Sequence, residues 1–491
     1  MRRRKRSEAS SRAGGPGGNE RSPVVSGNAI VARASGAGRA GVAVFRISGG
    51  NAFGIAKALA GPLPAPRRAA LRRLRDSSGA PIDEGLVILF KGPASFTGED
   101  IAEFHLHGSP AVESAFLEAA RAHGARLAEA GEFSKRALLN GKLDLAELEG
   151  LADLLDSETA IQRKQALSQF GGRLSAVAES WRARLIGILA PLEADIDFPD
   201  ESDIPAAVAA RAGPLIDALA AELEGFLQTA RAAKAIREGV KVAIIGAPNA
   251  GKSSLLNRLA GSERAIVSEA PGTTRDAIEA RLDLGGILVS LVDTAGLREN
   301  PADFIEREGI RRTRMNAAEA DIRLLIIDAS DAPFRDGRVS RETFSPQSLP
   351  EVAGLAAASL FRCGDFVVLN KIDLADEAVR VLPVTGPPGA AAVFPVSVRT
   401  GEGVDALVAA LTGEVARRCG RAEEAGLTRV RHVAAVEAAI RHLGRARARL
   451  EAPELAAEDV RLAARELGRI TGAVGVEDVL ASIFSSFCIG K

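Results

Sequence analysis

One octapeptide limits most of what this chain can fold into. Gly246-Ala-Pro-Asn-Ala-Gly-Lys252-Ser253 directly follows the apolar run Val240–Ile245. The pattern is glycine, four residues, then Gly-Lys-Ser, and it requires a buried strand before it and a helix after it. Gly246 and Gly251 permit the backbone angles that turn consecutive N–H groups toward phosphate oxygens. A helix opening near Lys252 aims its dipole at the same charge. Lys252 is expected to reach the β- and γ-phosphates and to serve catalysis. Ser253 is expected to ligate Mg²⁺, with Asn249, Ala250, Gly251 and Ser254 completing the cradle.

Further apolar runs of strand length follow at Ile287–Asp293, Ile322–Ile327, Phe366–Asn370 and Ala392–Val396, with helical patterns between several of them. That alternation predicts a mostly parallel sheet covered on both faces. Polar residues stand where several strands end. Asp293-Thr294-Ala295-Gly296 is placed to hold Mg²⁺ through water and to sense a γ-phosphate. Asn370-Lys371-Ile-Asp373 offers a carboxylate to the two N–H groups of a guanine edge, which adenine lacks, with Asn370 and Lys371 bracing the loop. Ser397-Val398-Arg399 would meet the base from the other side. Gly272-Thr273-Thr274-Arg275-Asp276 lies where a switch loop belongs, and Thr274 is the candidate second Mg²⁺ ligand. Together the motifs predict a GTP-hydrolysing domain. Leu297, not Gln, follows Gly296, so another polar residue must position water. Glu299, Asp303, Glu306 and Glu308 all follow in the second switch region, and residue chemistry alone does not choose among them.

The rest of the 491 residues must be read around that domain. Lys+Arg and Asp+Glu are both 63, so any basic surface is local. The three cysteines, Cys363, Cys419 and Cys488, lack paired spacing, which excludes a disulfide framework and a cysteine zinc site and fits a reducing cytosol. No apolar run is long enough to cross a membrane, and a cytoplasmic protein is expected. The domain boundaries expected are a basic extension without a core at 1–24, an α+β domain at 25–141, helices at 142–237, the nucleotide domain at 238–416 and helices again at 417–491. Neither helical set makes a comfortable core alone, so one bundle interrupted by an insertion is the economical solution. The basic extension reads either as an RNA-touching arm or as a solvated tail.

From Ala29 to Lys491 the chain resembles the MnmE (TrmE) family of bacterial tRNA-uridine-modifying GTPases. The resemblance is carried by Phe487-Cys488-Ile489-Gly490-Lys491 at the C-terminus, and by Arg46-Ile-Ser-Gly49, Ser95-Phe-Thr-Gly-Glu-Asp100, Gly131-Glu-Phe-Ser134 and Lys142-Leu-Asp-Leu145. It implies an N-terminal folate-binding and dimerisation domain, a helical domain and an inserted GTPase domain. It also implies a homodimer that works with an FAD-containing MnmG-type partner, as a heterotetramer, on the wobble uridine of certain tRNAs. There an aminomethyl or carboxymethylaminomethyl group is added at carbon 5, with a tetrahydrofolate derivative as one-carbon donor. Residue by residue, the resemblance gives Arg46, Glu103, Lys142 and Lys491 to folate. It gives Asn249, Ser268, Ala270 and Thr273 to K⁺, and it makes Glu306 the water-positioning residue with Glu308 as fallback. Cys488 is implied as a reactive thiol, against the plainer reading of a small buried residue beside Phe487. A GTPase switch in ribosome assembly is the competing reading, and a helical scaffold regulated by nucleotide is a third.

Overall fold

The computed structural model describes residues 27–197, 211–266, 279–293, 315–330, 362, 365–375, 392–420, 426–473 and 490, with the side chains of Glu279 and Asp293 excepted. By contacts the chain divides into two compact units, Met1–Leu143 with Leu480–Lys491, and Asp144–Val479.

The first unit is a six-stranded sheet with helices. Its elements are β1 (Ile30–Arg33), β2 (Ala40–Ser48), α1 (Ala52–Ala60), β3 (Ala70–Arg75), β4 (Pro81–Phe90), β5 (Ile101–Gly108), α2 (Pro110–Ala122), β6 (Arg126–Leu127) and α3 (Glu132–Leu139). The strand order is β3-β4-β5-β2-β1-β6. All neighbours are antiparallel except β1 and β6. Alternation along β2 and β5 sends Phe45 and Phe104 into the core, where both rings lie 4.9 Å from Phe116 of α2. Ser109 caps α2, its Oγ accepting from Val112 N at 3.2 Å, and Pro110 opens the helix. The serine at this position therefore starts a helix.

In the second unit a helical set, α4 (Leu145–Asp156), α5 (Ala160–Phe170), α6 (Arg173–Asp197), α7 (Ala212–Gln228) and α8 (Ala230–Glu238), precedes the nucleotide-domain elements. These are β7 (Val240–Gly246), α9 (Lys252–Ala260), β8 (Glu279–Leu284), β9 (Ile287–Asp293), β10 (Ile322–Asp328), β11 (Phe366–Asn370), β12 (Ala392–Pro395) and α10 (Val404–Cys419). Helices return with α11 (Val430–Ala448) and α12 (Pro453–Thr471). One apolar core takes Trp181, Leu185 and Ile188 from α6, Leu219 and Leu223 from α7, Val436 and Leu443 from α11, and Val460 and Leu467 from α12. The helices before and after the insertion therefore share one bundle.

The second sheet runs β12-β11-β10-β7-β9-β8, parallel throughout except for β8 at the edge. Its inner strands are mostly apolar, with Lys241 and Arg323 near the starts of β7 and β10, as burial on both faces requires. Where the chain enters and leaves this sheet it is clipped together. Arg237 Nε, at the end of α8, donates to Thr428 O at 3.1 Å. Arg429 Nη2 lies 2.7 Å from Asp153 Oδ1 of α4, and Arg237 Nη1 3.9 Å from the same oxygen. Among the described residues no helix is long and apolar enough to cross a membrane.

Candidate functional site

The phosphate-type loop sits where β7 ends beside β10. The parallel register sets Gly246 opposite Ile326. Gly246 has φ 151°, and a Cβ there would lie 2.3 Å from Ile326 O, so a side chain is excluded. Asn249 takes φ 63°, and Gly251 takes φ 100° as the residue before α9. Lys252 is nearly buried, and its Nζ donates to Ala247 O at 2.8 Å and Gly246 O at 3.2 Å. Its ammonium is thus held over the loop at the positive end of α9, with Ser253 and Ser254 in the same first turn. This is an arrangement that can bind an oxyanion.

The base-type loops close on that platform from the next strands. Asn370 ends β11, its Nδ2 donating to Ala250 O at 2.8 Å and its Oδ1 accepting from Val398 N at 3.1 Å. Glycine at 251 is again required, because a Cβ would come within 2.1 Å of Asn370 Nδ2. Lys371 takes φ 65°, and its Nζ donates to Asp328 Oδ2 at 2.5 Å. Asp328, the last residue of β10, also accepts from Ser330 N at 2.9 Å and Ser330 Oγ at 2.6 Å. Asp373 accepts from Ser397 Oγ at 2.6 Å and Arg399 Nε at 2.9 Å. Those two bonds hold its carboxyl below the ordinary value, so it is an acceptor at neutral pH. From α9, Arg258 Nη1 donates to Val398 O at 2.8 Å.

The structure therefore gathers Asn249, Ala250, Gly251, Lys252, Ser253, Ser254, Asn370, Lys371, Asp373, Ser397, Val398 and Arg399 at the carboxyl ends of parallel strands, where open α/β sheets bind ligands. Asp328 and Arg258 were missed in the sequence. The first had a legible signal, an acid at the end of a parallel strand. Arg258 had none, since any exposed helical arginine looks the same. Ser268, Ala270, Thr273, Thr274, Thr294, Ala295, Gly296, Glu299, Asp303, Glu306, Glu308, Cys488 and Lys491 lie outside the described residues, and only the backbone of Asp293 is described.

A second constellation occupies the first unit. The β2–β5 register pairs Arg46 with Glu103, with Nη2–Oε1 2.7 Å and Nε–Oε1 2.9 Å. The Arg46 guanidinium also faces the Phe96 and Phe133 rings at 5.5 and 5.6 Å. A cavity of about 500 Å³ is lined by Arg46, Glu103, Arg67, Phe90, Phe96 and Lys142 among others. Lys142 Nζ donates to Pro93 O at 3.0 Å, and Arg67 Nη2 to Ala94 O at 2.6 Å. Aromatic walls, one carboxylate and three cations suit a flat heterocycle with N–H donors and an anionic tail. Arg67, Phe90 and Phe96 are additions to the sequence reading, since only the folded sheet brings them to Arg46. In the same unit Gly490 lies against the backbone of Arg33 and Ala34. It is buried with φ 105°, and a Cβ would lie 1.9 Å from Arg33 O.

The model of the MnmE helical domain matches residues 145–488, and that of the GTP-binding protein TrmE N-terminus matches residues 29–142. Three similar relatives are each described as tRNA modification GTPase MnmE. That of Parvibaculum lavamentivorans is 49% identical over 469 residues, 94% of this chain and 99% of that protein. Those of Maricaulis maris and Phenylobacterium zucineum are 48% and 49% identical over the same shares of both chains.

Proposed function

Because this chain belongs to the MnmE family of tRNA modification GTPases, we propose that it hydrolyses GTP within a complex that modifies carbon 5 of the wobble uridine of certain tRNAs. The group added is aminomethyl or carboxymethylaminomethyl. The complex is a homodimer of this chain joined to an FAD-containing MnmG-type partner in the cytoplasm.

The observation that carries the reading is the Asn370 side chain, which ties the phosphate loop to both base loops through Ala250 O and Val398 N. A nucleotide bound there meets one preassembled surface. Lys252 neutralises phosphate charge, and Ser253, Thr274 and water-mediated Asp293 would hold Mg²⁺. Asn249, Ser268, Ala270 and Thr273 would hold K⁺, which supplies positive charge where an arginine finger acts in other GTPases. Glu306 orients the attacking water.

In the first unit Arg46, Glu103 and Lys142 would hold a tetrahydrofolate derivative, with Lys491. When bound, that group supplies the one-carbon unit. Glu103 would accept from its ring N–H edge, and the cations would pair its carboxylates. Cys488 is the candidate thiol for the modification chemistry. The ribosome-assembly reading leaves this cavity without a use. The test is GTP turnover by the purified chain in K⁺ and in Na⁺ at equal ionic strength. Strong acceleration by K⁺ is expected, and equal rates would remove the cation site from the proposal.

A further inference from the structure

The edge strand of the first unit's sheet carries a charge pattern that extends well beyond the cavity. Among the described residues, strand β3 has β4 on one side only. Between Arg67 and Arg75 the chain places five arginines, Arg67, Arg68, Arg72, Arg73 and Arg75, and from Ala58 to Arg75 it has no acidic residue. Among the described residues, one of these five side chains reaches a carboxylate, Arg73 to Glu84 at 3.2 Å, and both partners are exposed. Arg67, Arg72 and Arg75 meet backbone carbonyls. Arg67 Nη2 donates to Ala94 O at 2.6 Å, Arg72 Nε to Pro62 O at 2.7 Å, and Arg75 Nη1 to Gly79 O at 2.8 Å. Carbonyls fix a guanidinium without cancelling its charge. The result is an oriented cationic rim with donors left over, since each guanidinium has five N–H groups.

The rim has a direction. Leu74 is buried in the core, so Arg72 emerges from the core-side face of the edge strand while Arg73 and Arg75 emerge from the other. Arg67 and Arg68 continue the line through the preceding turn. Arg67 lies over the Phe90 ring at 5.6 Å and lines the cavity that also holds Arg46, Glu103 and Lys142. The cationic edge therefore runs up to the mouth of that cavity. A charge or two is enough to deter edge-to-edge strand pairing. Five arginines, of which Arg73 alone is paired with a carboxylate among the described residues, lead into a ligand cavity and match a polyanion.

We propose that this edge, Arg67 to Arg75, is a docking surface for the phosphate backbone of folded RNA, and that it guides the target nucleotide toward the one-carbon cavity. The inference rests on the reading of the chain as a tRNA-modifying GTPase, and it deepens that reading by placing the RNA on the first unit. Phosphates pair with guanidinium forks in bidentate fashion, and the contact carries no sequence information. It positions the RNA and leaves nucleotide choice to the cavity.

The test is binding of a bulk tRNA preparation to the full-length chain across a salt series. The test variant carries Arg68→Gln, Arg73→Gln and Arg75→Gln, and leaves Arg67 intact because it lines the cavity. One control carries the same three positions as lysine. A second carries Arg461→Gln, Arg465→Gln and Arg469→Gln on α12, with the same loss of net charge. GTP turnover and binding of a reduced folate are measured on every protein as checks on folding. The glutamine variant should bind tRNA at least about tenfold more weakly near 0.1 M salt. The slope of log affinity against log salt should fall by roughly two units. Lysine should recover most of the binding, and the α12 control should bind like the unaltered chain. Equal affinity in the glutamine variant, or equal weakening in the α12 control, would overturn the proposed surface and leave the function standing. Absence of tRNA binding by the unaltered chain would remove the surface together with direct RNA recognition by this chain.

Discussion

Asn370 donates its side-chain amide to the carbonyl oxygen of Ala250, 2.8 Å away and 120 residues earlier in the chain. The same side chain accepts from Val398 N. A single residue thus sets the spacing between the loop suited to phosphate and the two loops suited to the base. Asn370→Ala removes both bonds and leaves a buried carbonyl and N–H unpaired. The expected loss is about 3 kcal/mol, roughly a hundredfold in GTP and GDP affinity. Titration calorimetry checks it, and affinity within a few-fold of the unaltered chain would refute the bracing role.

Asp373→Asn changes an acceptor into a group that also donates. Guanine presents an N–H and an amino group to this position, whereas xanthine carries a carbonyl in place of the amine. The variant should lose GTP affinity by about 2–3 kcal/mol, the scale of hydrogen bonds to a charged group, and gain affinity for xanthosine triphosphate. Competition binding with GTP, ATP and the xanthine nucleotide measures it. Unchanged discrimination would remove Asp373 from base reading.

Glu306→Ala should keep GTP binding and slow hydrolysis by roughly a hundredfold or more, the scale of a lost water-positioning group. Single-turnover hydrolysis separates the two quantities. A normal rate would transfer the role to Glu308 or another acid of that region.

Glu149 of α4 is buried and accepts from His432 Nε2 at 2.9 Å and Arg431 Nη2 at 2.6 Å. Burial alone would raise its carboxyl, but these bonds pull it down to about 2. A depressed carboxyl stabilises the fold at pH values above its ordinary 4.5, and that contribution is lost as pH falls toward 2. Glu149→Gln should therefore cost on the order of 3 kcal/mol at pH 7. The gap to the unaltered chain should narrow progressively between about pH 5 and pH 2. Urea unfolding at several pH values measures it, and a gap independent of pH would contradict the assignment.

Gly490→Ala places a methyl where Arg33 O already lies, at a backbone angle that L side chains avoid. The strain is about 2 kcal/mol or more, a roughly thirtyfold loss of the docked position. Modification of tRNA, assayed with the flavoprotein partner, should fall accordingly while GTP turnover persists. Modification at the full rate would separate the tail from the chemistry.

How much of this was legible depended on pattern and distance. Ile287–Asp293 and Phe366–Asn370 are strands with the bounds their apolar runs indicate, because each run is nearly all apolar until the polar residue, Asp293 or Asn370, that ends it. Strand β3 was not read at all. Its arginines mask the alternation, only Leu71 and Leu74 are large and apolar, and a register shift falls between Leu74 and Arg75. Strand β8, Glu279–Leu284, was also missed, although Ala280, Leu282 and Leu284 alternate inward, because it is a short edge strand. The octapeptide revealed the phosphate loop because its chemistry is contiguous. Arg46 and Glu103 are 57 residues apart, and only family resemblance linked them before the β2–β5 register did. Asp328 and Arg258 act through the loops they brace; the first is marked only as an acid at the end of a parallel strand, and no local sequence signal marks the second.

The clip between Arg237 and Thr428, anchored on α4 through Asp153, has a mechanical consequence. A body attached at one crossing can spin about its tether. The nucleotide sheet is attached at two adjacent crossings pinned to each other and to α4, and it is held again beside α5, where Arg281 of β8 pairs with Glu158 and Ile161 packs against its core. Twisting about a single tether is therefore resisted. A force on the sheet is carried into α4 and α5 through these contacts.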